Sequence, residues 1–161
     1  MKKILPLLAL SFWLIQLGYS QNGVAYTPDF SLSAQQFEEQ VLKPKSEIWV
    51  LDFWASWCGP CIEAVPHVKQ MQQRFADKGV RFISLSWDES DERWKNALLR
   101  LKMPWQHLLV SAALKPFVNQ HFPHKGIPAA FIVRKDGKIK RVNGVGMLES
   151  TIQKALRAGN K

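Results

Sequence analysis

The stretch Ile48-Trp-Val-Leu-Asp-Phe-Trp-Ala55 constrains the fold more than any other. It is apolar at odd and even positions alike and rich in aromatic and β-branched residues. A strand apolar on both sides belongs inside a sheet that is covered on both faces. Directly after it comes Trp57-Cys58-Gly59-Pro60-Cys61, which holds both cysteines of the 161-residue chain. Beyond them Ile62, Val65, Val68, Met71 and Phe75 recur at three- and four-residue steps, the spacing of an amphipathic helix. The two thiols are thus predicted at or just before a helix N-terminus, where unpaired N–H groups and the macrodipole favour negative charge. Since the thiolate is the attacking species, a cysteine there is expected to titrate below its ordinary value of about 8.5.

That placement favours a reversible dithiol/disulfide centre over the other uses of paired cysteines. A structural zinc site needs four ligands; the chain has no second cysteine pair, and the His121/His124 spacing is tighter than the finger pattern. A purely structural bridge between Cys58 and Cys61 closes so short a loop that it adds little to the fold. Covalent haem attachment needs His directly after the second cysteine, where Ile62 stands.

Residues 1–20 read as a secretory signal peptide: Lys2 and Lys3, an apolar core from Ile4 to about Leu17, then Gly18 and Ser20 ahead of Gln21. The core is shorter than the about 20 residues of a membrane span; an uncleaved anchor is the alternative. The expected location is periplasmic or otherwise extracytoplasmic, where disulfides persist. Residues 21–161, about 140 residues, suit one domain with its own core. The formal charge of +9 comes from 22 basic and 13 acidic side chains. The basic residues are scattered and carry no nucleic-acid motif, so a solvated basic surface is expected and no nucleic-acid partner. A preference for acidic protein partners is the alternative.

Along the domain, Ser33 is a candidate cap for a short helix from Ala34 to about Leu42, ended by Pro44. A strand is expected at Val80–Ser86, a helix at Asp88–Leu101, a short strand at Trp105–Val110 and a helix from Ala112 to about Phe122. Strands at Ala130–Arg134 and Lys138–Val142 are joined by Lys135-Asp136-Gly137, a hairpin signal, and a helix from Met147 to about Ala158 follows. This order predicts an α/β fold, a mixed central sheet with helices on both faces.

Asp52-Phe53-Trp54-Ala55-Ser56-Trp57-Cys58-Gly59-Pro60-Cys61 and Gly126-Ile127-Pro128 resemble the active-site motif and cis-proline loop of the thioredoxin superfamily. The signal-like start, Pro66 and Ser84-Leu-Ser-Trp-Asp88 resemble its TlpA-like, secreted thiol-disulfide oxidoreductase branch. The resemblance implies a thioredoxin-like fold, Cys58 as the exposed nucleophile, Cys61 as the buried resolving thiol and Pro128 as a cis residue opposite them. It further implies substrate contact by Trp57, Gly59, Pro60, Ile127 and Pro128, with the Ile127 backbone pairing to an extended substrate segment. Asp52, a lone carboxylate in an apolar strand, is the candidate base for Cys61; a locally hydrogen-bonded strand residue is the alternative.

The chain departs from that branch at Ala64, where many of its members carry glutamate, and at Asp52, where they carry an uncharged residue. Glu63 is expected to act as a first-turn charge. His124 is expected at the surface, and Trp49, Trp87, Trp94 and Trp105 in the core or at its edge without a functional role. Gly-Pro between the cysteines resembles the reducing members of the superfamily. The expected function is reduction of disulfides in secreted proteins, apocytochrome c among the candidates. No cofactor beyond the Cys58–Cys61 disulfide and no metal are expected. The expected partners are protein disulfides and an upstream electron donor, with a membrane-embedded donor as one form, and the chain is expected to be a monomer. A metal-handling CxxC module with His121 or His124 and an oxidase or isomerase on the same fold are the alternatives.

Overall fold

The computed structural model describes residues 34–43 and 47–158. The signal peptide, the segment at 21–31 and the helix bounds Ser33 and Pro44 lie outside them. The described chain opens with α1 (Ala34–Phe37), which runs on as a π-helical turn, Glu38–Leu42. Then come β1 (Ile48–Trp54), α2 (Gly59–Phe75), β2 (Val80–Ser86), α3 (Asp91–Leu101) and β3 (Gln106–Leu109). After these follow α4 (Lys115–His121), β4 (Ala129–Val133), β5 (Ile139–Val142) and α5 (Leu148–Ala158).

The strands form one mixed sheet in the order β3-β2-β1-β4-β5. β1, β2 and β3 are parallel, β4 runs antiparallel to β1, and β5 antiparallel to β4. β1 is therefore central, which is why its sequence is apolar on both sides. The crossovers through α2 and α3 step the same way across the sheet, and right-handed crossovers then put both helices on one face. Val50 and Trp54 of β1 pack there with Cys61, Val65 and Met71 of α2, Trp94 and Leu98 of α3, and Ile152 of α5. On the other face Leu51, Phe53, Ile83 and Phe131 pack against Phe37 and Val41, and against Val118 and Phe122 from α4 and its end.

Register places His107, Ser84, Asp52, Ala130 and Val142 in one row across all the strands. Cross-strand partners share a face of the sheet, and Val142 assigns this row to the α2 side.

Several strand and helix ends differ by a residue from those the sequence suggested, and two helix starts and the place of Glu63 differ by more. α3 starts at Asp91 rather than Asp88, because the Ser90 hydroxyl caps it by accepting the Arg93 N–H at 3.3 Å, and Asp88 is engaged elsewhere. α4 starts at Lys115 rather than Ala112, since residues 111–114 form a turn in which the Leu114 N–H bonds back to Ser111. α2 starts at Gly59, so Glu63 stands in its second turn and not beside the N-terminal amides. The β4–β5 connection forms as a hairpin in which Gly137 takes φ 76°, a conformation that favours glycine.

Candidate active site

Cys58 is the N-cap of α2, and its Sγ accepts the Cys61 N–H at 3.2 Å. This amide is one of the unpaired donors of the first turn, so negative charge developing on Cys58 Sγ meets a positive dipole end. Pro60 lies in that first turn, where a missing N–H removes no helical bond. Cys58 and Cys61 are joined in a disulfide. In this oxidised form Cys58 is 6% exposed and Cys61 4%. Cys58 is thus not the exposed member of an unequal pair here, because its bond to a residue one turn inward holds its sulfur against the helix end. Trp57, by contrast, is 64% exposed, and Gly59 and Pro60 are exposed beside it.

Phe53 pairs with Ala129 across the antiparallel β1–β4 ladder. The preceding Pro128 therefore arrives at the end of β1 from which the chain turns towards Cys58. The Ile127–Pro128 peptide is cis. Ile127 is half-buried against the cluster that contains both cysteines, and Pro128 is exposed. The structure thus gathers Trp57, Cys58, Gly59, Pro60, Ile127 and Pro128 at one end of the sheet.

Asp52 lies one step back along β1, on the α2 face between Val50 and Trp54, both in the cluster of Cys61. Although the residue as a whole is half-buried, its carboxyl group behaves as an enclosed one. Burial pushes it up from an ordinary 3.8 to about 6, against the pull of a hydrogen bond from Ser84. The Ser84 hydroxyl donates to Asp52 Oδ2 at 3.1 Å. Asp52 is therefore both locally hydrogen-bonded and poised near neutrality. His107, in the same row, is pushed down to about 4 by burial, and its Nε2 meets the Met103 carbonyl at 3.1 Å.

Several residues that the sequence left without a role hold this end of the sheet. Asp88, buried just after β2, accepts the Ser56 N–H at 2.9 Å, the Ser56 hydroxyl at 2.6 Å and the Ser86 hydroxyl at 2.7 Å. It clamps the turn that leads into Cys58. The signal available for it was the alternation Ser84, Ser86, Asp88, a polar period-two run through the end of β2 and just beyond it. His124 is half-buried rather than freely exposed. Its ring packs 4.8 Å from Phe53 and 5.6 Å from Trp87, centroid to centroid. Its Nε2 accepts the Trp87 indole N–H at 3.2 Å, and its Nδ1 meets the Phe122 carbonyl at 2.7 Å. Trp87 also lines one of two open clefts, of about 480 and 460 Å³, that flank Trp57 and share Arg93. Among the described residues no group of three or more His, Cys, Asp or Glu side chains is arranged to hold a metal ion. No helix among them is long and apolar enough to cross a membrane.

A family model described as thioredoxin-like matches residues 46–139. The thiol-disulfide oxidoreductase ResA of Bacillus anthracis is 30% identical over 115 residues, covering 67% of this chain and 60% of that protein. The match thus spans less than two thirds of that relative. The thioredoxin-like protein YneN of Bacillus subtilis is 26% identical over 163 aligned positions, covering 95% of this chain and 92% of the other. Among solved structures, the thioredoxin domain of a thiol-disulfide oxidoreductase from Bacteroides vulgatus superposes with a TM-score of 0.63 at 27% identity, covering 68% of this chain and 79% of that one.

Proposed function

As the chain belongs to the thioredoxin-like family, we propose that it is a protein thiol-disulfide oxidoreductase working outside the cytoplasm as a disulfide reductant. The observation that carries this reading is the redox pair itself: a disulfide at the N-terminus of α2, with the Cys61 amide directed at Cys58 Sγ. In the reduced protein the Cys58 thiolate attacks one sulfur of a substrate disulfide and expels the other as a thiolate, forming a mixed disulfide. Cys61, deprotonated by the Asp52 carboxylate, then attacks Cys58 Sγ. Its attack releases the second substrate thiol and closes the Cys58–Cys61 bond, so two electrons pass to the substrate. An upstream donor restores the dithiol, and a membrane-embedded one suits the proposed location. No further cofactor is required.

Exposed Trp57 and the Ile127 backbone offer the contact surface, an apolar platform and an edge for strand-like pairing. The pattern of residues 1–20 supports the extracytoplasmic location. Disulfides of secreted proteins are the substrate class, apocytochrome c is one candidate, and monomeric action is sufficient.

The test is trapping. Cys61→Ser is expected to accumulate mixed disulfides with substrate proteins through Cys58, and Cys58→Ser to accumulate none. Trapping by Cys58→Ser alone would reverse the two roles, and trapping by neither variant would overturn the reductase reading.

A further inference from the structure

The carboxyl of Asp52 ends a buried hydrogen-bond chain that begins two strands away. Trp105, just ahead of β3 and 6% exposed, points its indole N–H at Ser84 Oγ, 2.7 Å distant. Ser84 is fully buried and sits opposite Asp52 in the β1–β2 register. Its hydroxyl carries one hydrogen and accepts through its lone pairs, whereas the indole can only donate. The Trp105 bond therefore occupies an acceptor site of Ser84 and leaves the hydroxyl hydrogen for Asp52 Oδ2, at 3.1 Å.

We propose that Trp105 and Ser84 are positioning residues for Asp52, the indole fixing the direction of the serine hydroxyl so that it donates to the carboxylate and sets the pH at which Asp52 accepts the Cys61 proton. This rests on the proposed role of Asp52 as the base for Cys61. A hydrogen bond given to the ionised form favours that form, so the chain offsets part of the cost of burying the carboxylate. Each member polarises the next in the same sense, from indole to hydroxyl to carboxylate.

The surroundings leave few competitors for this role. α2 brings Cys58 and Cys61 to this face and also carries His67, whose Nε2 is buried, and β3 contributes His107, whose Nε2 is engaged with Met103. β4 contributes Ala130 opposite Asp52. The buried residues that α3 and α5 turn to this side are Trp94, Ala97, Leu98, Leu148, Ile152 and Ala155.

The experiment measures two things in the full chain: the titration of the Asp52 carboxyl by carbon NMR in the oxidised protein, and the pH profile of mixed-disulfide resolution in single-turnover mixing. Ser84→Ala is expected to move the Asp52 midpoint upward by about one pH unit. Trp105→Phe, which keeps an aromatic ring and removes the N–H, is expected to move it the same way by less. The double variant should match Ser84→Ala alone, because the indole acts only through the hydroxyl. The acid limb of the resolution profile should move upward in step, and in an Asp52→Asn background neither substitution should alter that profile.

An Asp52 midpoint unchanged in both single variants would overturn the proposal, and so would strictly additive shifts in the double variant. A midpoint that moves as expected beside an unmoved resolution profile would support the tuning chain and overturn Asp52 as the base for Cys61.

Discussion

At the scale of the residue, Asp52 has a thermodynamic consequence separate from its chemistry. Its folded-state value near 6 lies above the ordinary 3.8 expected in the unfolded chain. The folded protein therefore holds a proton that the unfolded one releases between these values, and stability falls as pH rises through the window. Below about pH 4 both states are protonated and the group costs nothing; above about pH 6 both are ionised and the full cost of the buried carboxylate remains. Asp52→Asn is expected to raise the unfolding free energy at pH 7 by roughly 2 kcal/mol, with the gain vanishing below pH 4. Urea denaturation of both proteins across this range checks it. A constant difference at all pH values would mean that Asp52 is not shifted.

At the scale of the element, the β1–α2 turn is secured from outside. α2 caps itself with Cys58, and the turn ahead of it, closed by the Cys58 N–H on the Ala55 carbonyl at 3.1 Å, is tied to the end of β2 through Asp88. Asp88→Ala leaves the Ser56 N–H and two hydroxyls without their acceptor in a buried place, at a cost of about 3 kcal/mol. It should also slow the first attack by Cys58, since the turn that presents the nucleophile loosens. The cap of α3 makes a comparison within the same protein. Ser90→Ala removes one exposed bond, should cost about 1 kcal/mol, and should leave attack by Cys58 unchanged. Denaturation midpoints and stopped-flow rates separate the two, and an Asp88→Ala loss no larger than that of Ser90→Ala would sink the clamp.

At the scale of the whole molecule, the formal charge of +9 meets the site at the clefts beside Trp57. Arg93 borders both clefts, beside Asp88 and Glu89 in the first and joined by Arg100 in the second, so the basic side is the second cleft. On α3 itself Lys95 pairs with Asp91, and neither arginine takes part in that pair. A field of this sign speeds encounter with acidic proteins and weakens with salt. The rate of reduction of an acidic protein disulfide is expected to fall at least about 3-fold between low and high ionic strength, while a basic substrate speeds up or stays level. Identical salt responses for the two would show that net charge does not reach the docking step.

What the sequence determined by itself was whatever local pattern encodes. Two-sided apolarity made β1 central, three- and four-residue spacing made α2 a helix, and Asp136-Gly137 made the β4–β5 hairpin, each readable within a few neighbouring residues. The place of Cys58 and Cys61 at a strand-to-helix junction follows from the same patterns. The tertiary structure alone decided what the polar residues do, because their partners lie far along the chain. Asp88 meets Ser56 across 32 residues, Trp105 meets Ser84 across 21 and Trp87 meets His124 across 37. A hydrogen bond depends on distance and direction between atoms that only sheet register brings together. For that reason His124 could pass for a surface residue, Asp88 for the start of a helix and Trp105 for simple packing, until the strands were paired.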